Sequence, residues 1–191
     1  MSVKRHFGAV VLVGGFSLAM VCSALAADPF TLESSAFKSG TMLAKKNAGA
    51  NKANPNCVGE NVSPPLAWKN PPAGTTSYAI LMLDLEGRFP LGVDHWIAYG
   101  IPASVTGFAE GEVSKPSDKY VGGKNITGGG NYFGPCTPPG TTPHQYIFLM
   151  VATDLDAKAL PPGLTRAELL EKLNGHAKGT STLVGLFKNP L

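Results

Sequence analysis

Residues 134–146 read Gly-Pro-Cys-Thr-Pro-Pro-Gly-Thr-Thr-Pro-His-Gln-Tyr, and the apolar run Ile-Phe-Leu-Met-Val-Ala follows at residues 147–152. The prolines fix φ and stiffen the loop, whereas the glycines let its backbone approach a ligand closely. The β-branched and aromatic run is typical of a buried strand. Because side chains alternate along a strand, His144 and Tyr146 are expected on one face. Free backbone N–H groups beside them would suit a small anion, although an ordinary loop with a surface histidine has the same pattern.

Short apolar runs separated by Pro/Gly turns dominate the rest of the chain. They predict strands at 77–83, 94–102 and 182–187, and residues 41–60 resemble a loop. One helix is predicted, and it starts at a capping box formed by residues 165–168. This pattern indicates a β-rich domain, either a sandwich or a barrel with a peripheral helix.

The first 26 residues have the pattern of a secretory signal peptide. Lys4 and Arg5 form a basic start, residues 10–20 are apolar, and residues 24–26 form an Ala-Leu-Ala cleavage site. The apolar part is short for a membrane span, and the residues before Cys22 do not fit a lipoprotein signal. The sequence therefore predicts a signal peptide at 1–26, one domain at 27–191 without a transmembrane segment, and a periplasmic or secreted protein.

The composition of the mature chain excludes one class of partner. About 165 residues is an ordinary size for one domain with a hydrophobic core. Loss of the two basic residues of the leader lowers the formal net charge from +3 to +1. The sequence has no basic block and no interleaving of basic with aromatic residues, so we expect no nucleic-acid partner.

Two cysteines, Cys57 and Cys136, remain in the mature chain. A pair of cysteines in an exported protein indicates one disulfide, and two buried free thiols are the alternative. We predict that Cys57 and Cys136 form a disulfide that ties their two loops together.

Polar residues stand at the ends of the apolar runs. Asp84 ends one run, and His95 lies near the start of the next predicted strand. If these strands are antiparallel neighbours, the carboxylate and the imidazole can meet, which would raise the pKa of His95 and fix its orientation. We therefore expect a protonated His95 to donate to a phosphate oxygen, together with the Tyr146 hydroxyl and loop N–H groups.

Four segments occur together in a specific order. They are residues 57–68 (Cys-Val-Gly-Glu-Asn-Val-Ser-Pro-Pro-Leu-Ala-Trp), 72–77 (Pro-Ala-Gly-Thr-Thr-Ser), 94–96 (Asp-His-Trp) and 134–146. In this order they resemble the phosphatidylethanolamine-binding protein family, in its bacterial Raf-kinase-inhibitor-like branch. The similarity extends from about Phe30 to Phe187.

The resemblance implies a mainly β fold, a β-sandwich with a large central antiparallel-rich sheet, a few peripheral helices and a small anion pocket. The ligand-binding residues that it implies are Asp84, His95, Gly134, Pro135, His144 and Tyr146. The chain departs from the family where an Asp-Pro-Asp-x-Pro segment is usual, because residues 84–88 read Asp-Leu-Glu-Gly-Arg. Two acids survive and the rigid prolines do not. Arg88 either adds a positive charge at the pocket rim or is simply solvated.

These observations predict an exported protein that binds a small phosphorylated anion or a phospholipid head group. The family name implies an alternative, a secreted inhibitor or modulator of a protein partner such as a protease or kinase. An enzyme is not expected, because the sequence lacks Gly-x-Ser-x-Gly, His-Glu-x-x-His and Cys-x-x-Cys. No cofactor and no metal are predicted, although Asp84, His95 and His144 form the two-His, one-carboxylate set that some metal sites use.

Overall fold

The computed structural model of the protein describes Met1 and residues 28–89 and 91–190. The predicted signal peptide therefore lies, apart from Met1, outside the described residues. Within those residues, no helix combines the length and the apolar character that crossing a bilayer requires.

The described part of the chain contains nine strands and one α-helix. The strands are β1 (Thr31–Glu33), β2 (Thr41–Met42), β3 (Leu66–Lys69), β4 (Ser77–Asp84), β5 (Val93–Pro102), β6 (Gly107–Phe108), β7 (Val121–Gly122), β8 (His144–Thr153) and β9 (Ala177–Phe187). The helix α1 is Arg166–Leu173, and 3-10 helices lie at Lys45–Asn47 and Glu112–Ser114. The mainly β class predicted from the sequence is confirmed.

Two sheets form the domain. The larger has the strand order β2-β9-β8-β4-β5-β7, and the smaller has the order β1-β3-β6. The long strands β4, β5, β8 and β9 pair antiparallel, whereas β2 runs parallel to β9. This is the large antiparallel-rich sheet that the family resemblance implies.

Alternate residues of β4 enter two different cores. Ile80 and Met82 belong to a cluster that also contains Leu66 and Trp68 of the smaller sheet. Ala79 and Leu81 face the other way, into a cluster closed by Leu169 and Leu173 of α1. Because β4 is buried on both faces, its sequence is a continuous apolar run rather than an alternating one.

The start of α1 follows from its predicted capping box. The Thr165 hydroxyl accepts a hydrogen bond from the Glu168 N–H, and Glu168 Oε2 accepts one from the Thr165 N–H at 2.8 Å. Two N–H groups at the helix start are thereby satisfied. This helix covers the face of the large sheet opposite to the smaller sheet.

Residues 41–60 differ from the loop expected there. They contain β2 and a 3-10 helix, and the side chain of Asn47 is buried. Asn47 Nδ2 donates to the Val62 carbonyl at 2.8 Å, and its Oδ1 accepts from the Ala44 N–H at 3.1 Å. Hydrogen bonds made by a buried side chain in this way stabilise short elements that have no periodic pattern of their own.

Candidate ligand-binding site

The candidate site lies where β4 ends and β8 begins. Asp84 and Tyr146 are direct partners in the antiparallel pairing of these strands. Directly opposed residues point to the same face, and so do residues two apart on one strand. The register therefore brings Asp84, His144 and Tyr146 together on the face that continues the core shared by the two sheets, as expected for the two β8 residues.

Asp84 is the most constrained of these side chains. Its Oδ2 accepts a hydrogen bond from Nδ1 of His144 at 2.9 Å. Its Oδ1 accepts from the N–H groups of Glu86 at 3.0 Å and Gly87 at 2.9 Å. A Cβ on Gly87 would lie 2.8 Å from Val93 Cγ2 and 2.9 Å from Asp84 Oδ2, so a side chain at this position would disturb the network. The carboxylate thus holds both the His144 ring and the start of the next loop.

The expected contact between Asp84 and His95 is replaced by the one between Asp84 and His144. The pairing of β4 with β5 shifts between Met82 and Leu83, and His95 is the extra residue of the resulting bulge. Nδ1 of His95 donates instead to the Phe133 carbonyl at 2.8 Å. The expectation that Asp84 orients His95 by a direct contact is therefore wrong, because the bulge offsets β5.

The expected rise in the pKa of His95 is also wrong. His95 is only 3% exposed. Burial lowers the pKa of its imidazole, against the opposing effects of the Phe133 carbonyl and the Asp84 carboxylate. The ring stacks on Phe133 with a centroid distance of 6.0 Å and meets Tyr146 edge-on at 5.1 Å. His95 is thus a neutral, packed wall residue.

The hydroxyl of Tyr146 is a buried polar group of the site. Tyr146 is 1% exposed, and its oxygen lies 2.9 Å from Oγ1 of the buried Thr137. Burial raises the pKa of this phenol above its ordinary value, and the Asp84 carboxylate raises it further. Tyr146 therefore keeps its proton at neutral pH. The sequence did not predict a role for Thr137, because nothing distinguishes it there from the other threonines of the Pro/Gly loop.

The backbone groups of Gly134 and Pro135 are engaged in contacts between loops. The Gly134 N–H donates to Asn61 Oδ1 at 2.8 Å, and the Pro135 carbonyl accepts from the Gly49 N–H at 2.8 Å. A Cβ on Gly134 would collide with the Asn47 carbonyl. The N–H expected to be free for a ligand is therefore occupied, and Gly134 is required for close packing of two loops.

The side chains at the end of β4 and the start of β8 line a pocket of about 440 Å³. Four of the six predicted ligand-binding residues line it, namely Asp84, His95, His144 and Tyr146. The remaining wall includes Glu86, Arg88, Phe133 and Thr137. Arg88 lines the pocket and is exposed to solvent, so it combines the two positions that the sequence left open. A polar floor in a concave site of this size is typical of small-ligand binding.

The predicted disulfide is present beside this pocket. Cys57 and Cys136 are bonded with their Cα atoms 4.3 Å apart, and 79 positions separate them in the chain. Cys136 is itself part of the pocket wall. The bond therefore fixes the loop that carries Thr137.

One group of side chains in the described residues has the spacing of a metal site. Asp84, Glu86 and His144 each offer a ligand atom, and these atoms lie within 4.8 Å of one another. The set differs from the one weighed in the sequence, because Glu86 replaces His95. The three side chains already have hydrogen-bond partners within the protein. Asp84 and His144 bond each other, and Glu86 Oε2 accepts from the Gln145 N–H at 3.1 Å.

Comparison with known proteins gives consistent matches. The family described as "Phosphatidylethanolamine-binding protein" matches residues 33–188. A UPF0098 protein of Methanothermobacter thermautotrophicus is 36% identical over 136 residues, which cover 69% of this chain and 86% of that protein. The UPF0098 protein YbhB of Escherichia coli is 30% identical over 133 residues, covering 68% and 83%. The crystal structure of E. coli YbcL, described as a new member of the mammalian PEBP family, superposes with a TM-score of 0.74 at 27% identity, covering 83% of this chain and 98% of that one.

Proposed function

Because the chain belongs to the phosphatidylethanolamine-binding protein family, we propose that it binds a small phosphorylated anion, either phosphate or a phospholipid head group, in the pocket between β4 and β8. The observation that carries this proposal is the fixed polar floor. Asp84 holds His144 by a 2.9 Å hydrogen bond, and the Tyr146 hydroxyl lies 2.9 Å from Thr137. Such preorganised groups bind without a cost of ordering.

Three kinds of donor are available to the phosphoryl oxygens. Arg88 supplies a guanidinium at the wall, and its charge makes each hydrogen bond stronger than a neutral one. Tyr146 and Thr137 hydrogen-bond each other, which uses one of their two hydroxyl protons and leaves one for a ligand. Nδ1 of His144 donates to Asp84, so Nε2 is left for a ligand and is a donor only in the imidazolium form of the ring.

The two carboxylates of the site favour one class of phosphorylated ligand. Asp84 and Glu86 both line the pocket, so an isolated phosphate would meet negative charge as well as donors. An ammonium group beside the phosphate would balance that charge. We therefore expect phosphoethanolamine-like head groups to bind more tightly than inorganic phosphate.

The proposal also includes the location of the protein, and it assigns the pocket to binding rather than to catalysis. The basic, apolar and small-residue regions of residues 1–26 support export, and the disulfide fits an oxidising compartment. We infer a periplasmic or secreted binding protein. N-terminal sequencing of the purified protein should find a start at or near Ala27, and an intact leader on the soluble protein would contradict export.

Calorimetric titration with phosphate, phosphoethanolamine and glycerophosphoethanolamine tests the site. Arg88→Gln removes one charge-assisted donor at an exposed position, and we expect roughly tenfold weaker binding. Tyr146→Phe keeps the ring and removes one neutral donor, so binding should weaken by a few-fold.

Lys69→Gln is the matched control for loss of a surface charge. Lys69 lies on β3 and pairs with Glu33, and both side chains are largely exposed. This variant should bind like the wild type. If the wild type binds none of the three ligands, the proposal fails and the inhibitor alternative becomes the leading one.

A further inference from the structure

Exposed apolar side chains concentrate beside the mouth of the pocket. Apart from Met1, the described residues include six large apolar side chains that are well exposed: Met42, Leu85, Phe89, Leu91, Ile126 and Leu170. The three most exposed are Leu85 at 51%, Phe89 at 85% and Leu91 at 74%. All three belong to the segment formed by residues 85–89 and 91, which we name the rim loop. Glu86, Gly87 and Arg88 of the rim loop line the pocket, and so does Ile126.

Defined hydrogen bonds hold the rim loop in this shape. Its start is fixed by the bonds from the Glu86 and Gly87 N–H groups to Asp84. Its end is fixed by the bond from the Leu91 N–H to the Arg88 carbonyl at 2.9 Å. Nη2 of Arg166 donates to the Leu91 carbonyl at 3.2 Å. The apolar side chains are thus held in water by polar contacts at both ends, which costs free energy unless a partner covers them.

We propose that the rim loop inserts Leu85, Phe89 and Leu91 into the surface of a lipid bilayer, so that the pocket opens at the level of the lipid head groups. This inference rests on the proposed function, because it makes a membrane lipid, rather than a free solute, the source of the head group. Arg88 lies between the apolar residues, where its guanidinium would meet lipid phosphates.

The size of the apolar surface favours a bilayer over a second protein. An aromatic side chain buries roughly 150–250 Å², and the two leucines are smaller and exposed by 51% and 74%, so the three supply on the order of 400 Å². A stable protein interface needs about 800 Å² on each partner. A bilayer has no such requirement, because a few apolar side chains can enter it separately from a polar surface.

Co-sedimentation with vesicles tests this inference. The naturally processed protein is mixed with vesicles of phosphatidylethanolamine and phosphatidylglycerol, and each variant is titrated in parallel with soluble glycerophosphoethanolamine. The double variant Phe89→Ser/Leu91→Ser should bind vesicles at least tenfold more weakly, since each lost side chain removes a large part of the transfer free energy. Its affinity for the soluble ligand should stay unchanged, because neither residue lines the pocket. Met42→Ser, a matched change on the edge strand β2, should leave both measurements unchanged.

A direct readout of insertion uses the buried positions of the native tryptophans. Trp68 and Trp96 are 3% and 0% exposed, so brominated lipids should not quench their fluorescence. In Phe89→Trp the new indole should be quenched on vesicle binding and shift to shorter wavelength. Absence of quenching in vesicle-bound Phe89→Trp would overturn insertion at this loop.

The outcomes separate this inference from the proposed function. Vesicle binding by Phe89→Ser/Leu91→Ser at the wild-type level overturns the inference. Wild type that binds the soluble ligand but no vesicles also overturns it and leaves the proposed function in place. Loop-dependent vesicle binding without any soluble-ligand binding supports the bilayer partner and removes the pocket proposal. If sedimentation velocity shows that the rim loop mediates self-association instead, a second copy of the chain is the partner and the inference is wrong.

Discussion

Among the single residues of the pocket, His95 is expected to make the free energy of unfolding depend on pH. Its folded pKa lies below the ordinary value of 6.5 because it is buried. Below about pH 6.5 the unfolded chain therefore binds a proton that the folded chain does not, and the stability due to the neutral ring falls as pH falls. His95→Asn keeps a donor for the Phe133 carbonyl and removes the titration. Urea unfolding between about pH 8 and 5 should show a steeper loss for wild type than for His95→Asn; parallel profiles would contradict the lowered pKa.

At the scale of one element, α1 is expected to stabilise the core that Leu169 and Leu173 close against the large sheet. Leu169 is fully buried, whereas its neighbour Leu170 is 46% exposed. Leu169→Ala should lower the free energy of unfolding by roughly 2–5 kcal/mol, because it leaves a cavity against β4. Leu170→Ala is the matched control and should change it by less than about 0.5 kcal/mol. Ligand binding by folded Leu169→Ala should persist, because the pocket lies on the opposite face of the sheet; equal unfolding free energies for the two variants would show that α1 does not close this core.

For the molecule as a whole, the disulfide is expected to stabilise the fold by restricting the unfolded chain. It joins positions 79 residues apart and so restricts the unfolded ensemble over much of the domain. Replacing both Cys57 and Cys136 by Ser should lower the free energy of unfolding by about 4.5 kcal/mol in the chain-entropy model. Urea unfolding of the double variant measures this change. Thiol labelling of the unreduced, denatured mature protein should find no free thiol, and two reactive thiols would disprove the bond.

The sequence was sufficient for features that local patterns encode. The apolar runs of β4 and β8 are continuous because both strands are buried on both faces, and α1 starts where its capping box predicts. The pairing of Cys57 with Cys136 followed from the number of cysteines and the predicted compartment. Period-two alternation correctly placed His144 and Tyr146 on one face.

The partner of Asp84 could not be predicted in the same way. A hairpin between β4 and β5 made His95 the nearest candidate, because the two residues are close in sequence. The actual partner, His144, is 60 positions away and depends on the register of β4 against β8. A bulge at His95 and a register between distant strands leave no local pattern. The sequence likewise did not predict the exposed rim loop; it showed only that residues 84–88 depart from the Asp-Pro-Asp-x-Pro segment that is usual in the family.

Short segments cover part of each edge of the six-stranded sheet, at residues 184–186 of β9 and residues 94–99 of β5. On one side β2 pairs with β9, and the Leu43 N–H donates to the Leu186 carbonyl at 2.7 Å. On the other side, the Ile126 and Phe133 N–H groups donate to the carbonyls of β5 at 2.7 and 3.0 Å. A strand from another molecule would need these same backbone groups in order to add to the sheet. The covered parts of both edges are therefore closed to a strand from another molecule, and deletion of residues 38–43 would open the end of β9 to such pairing.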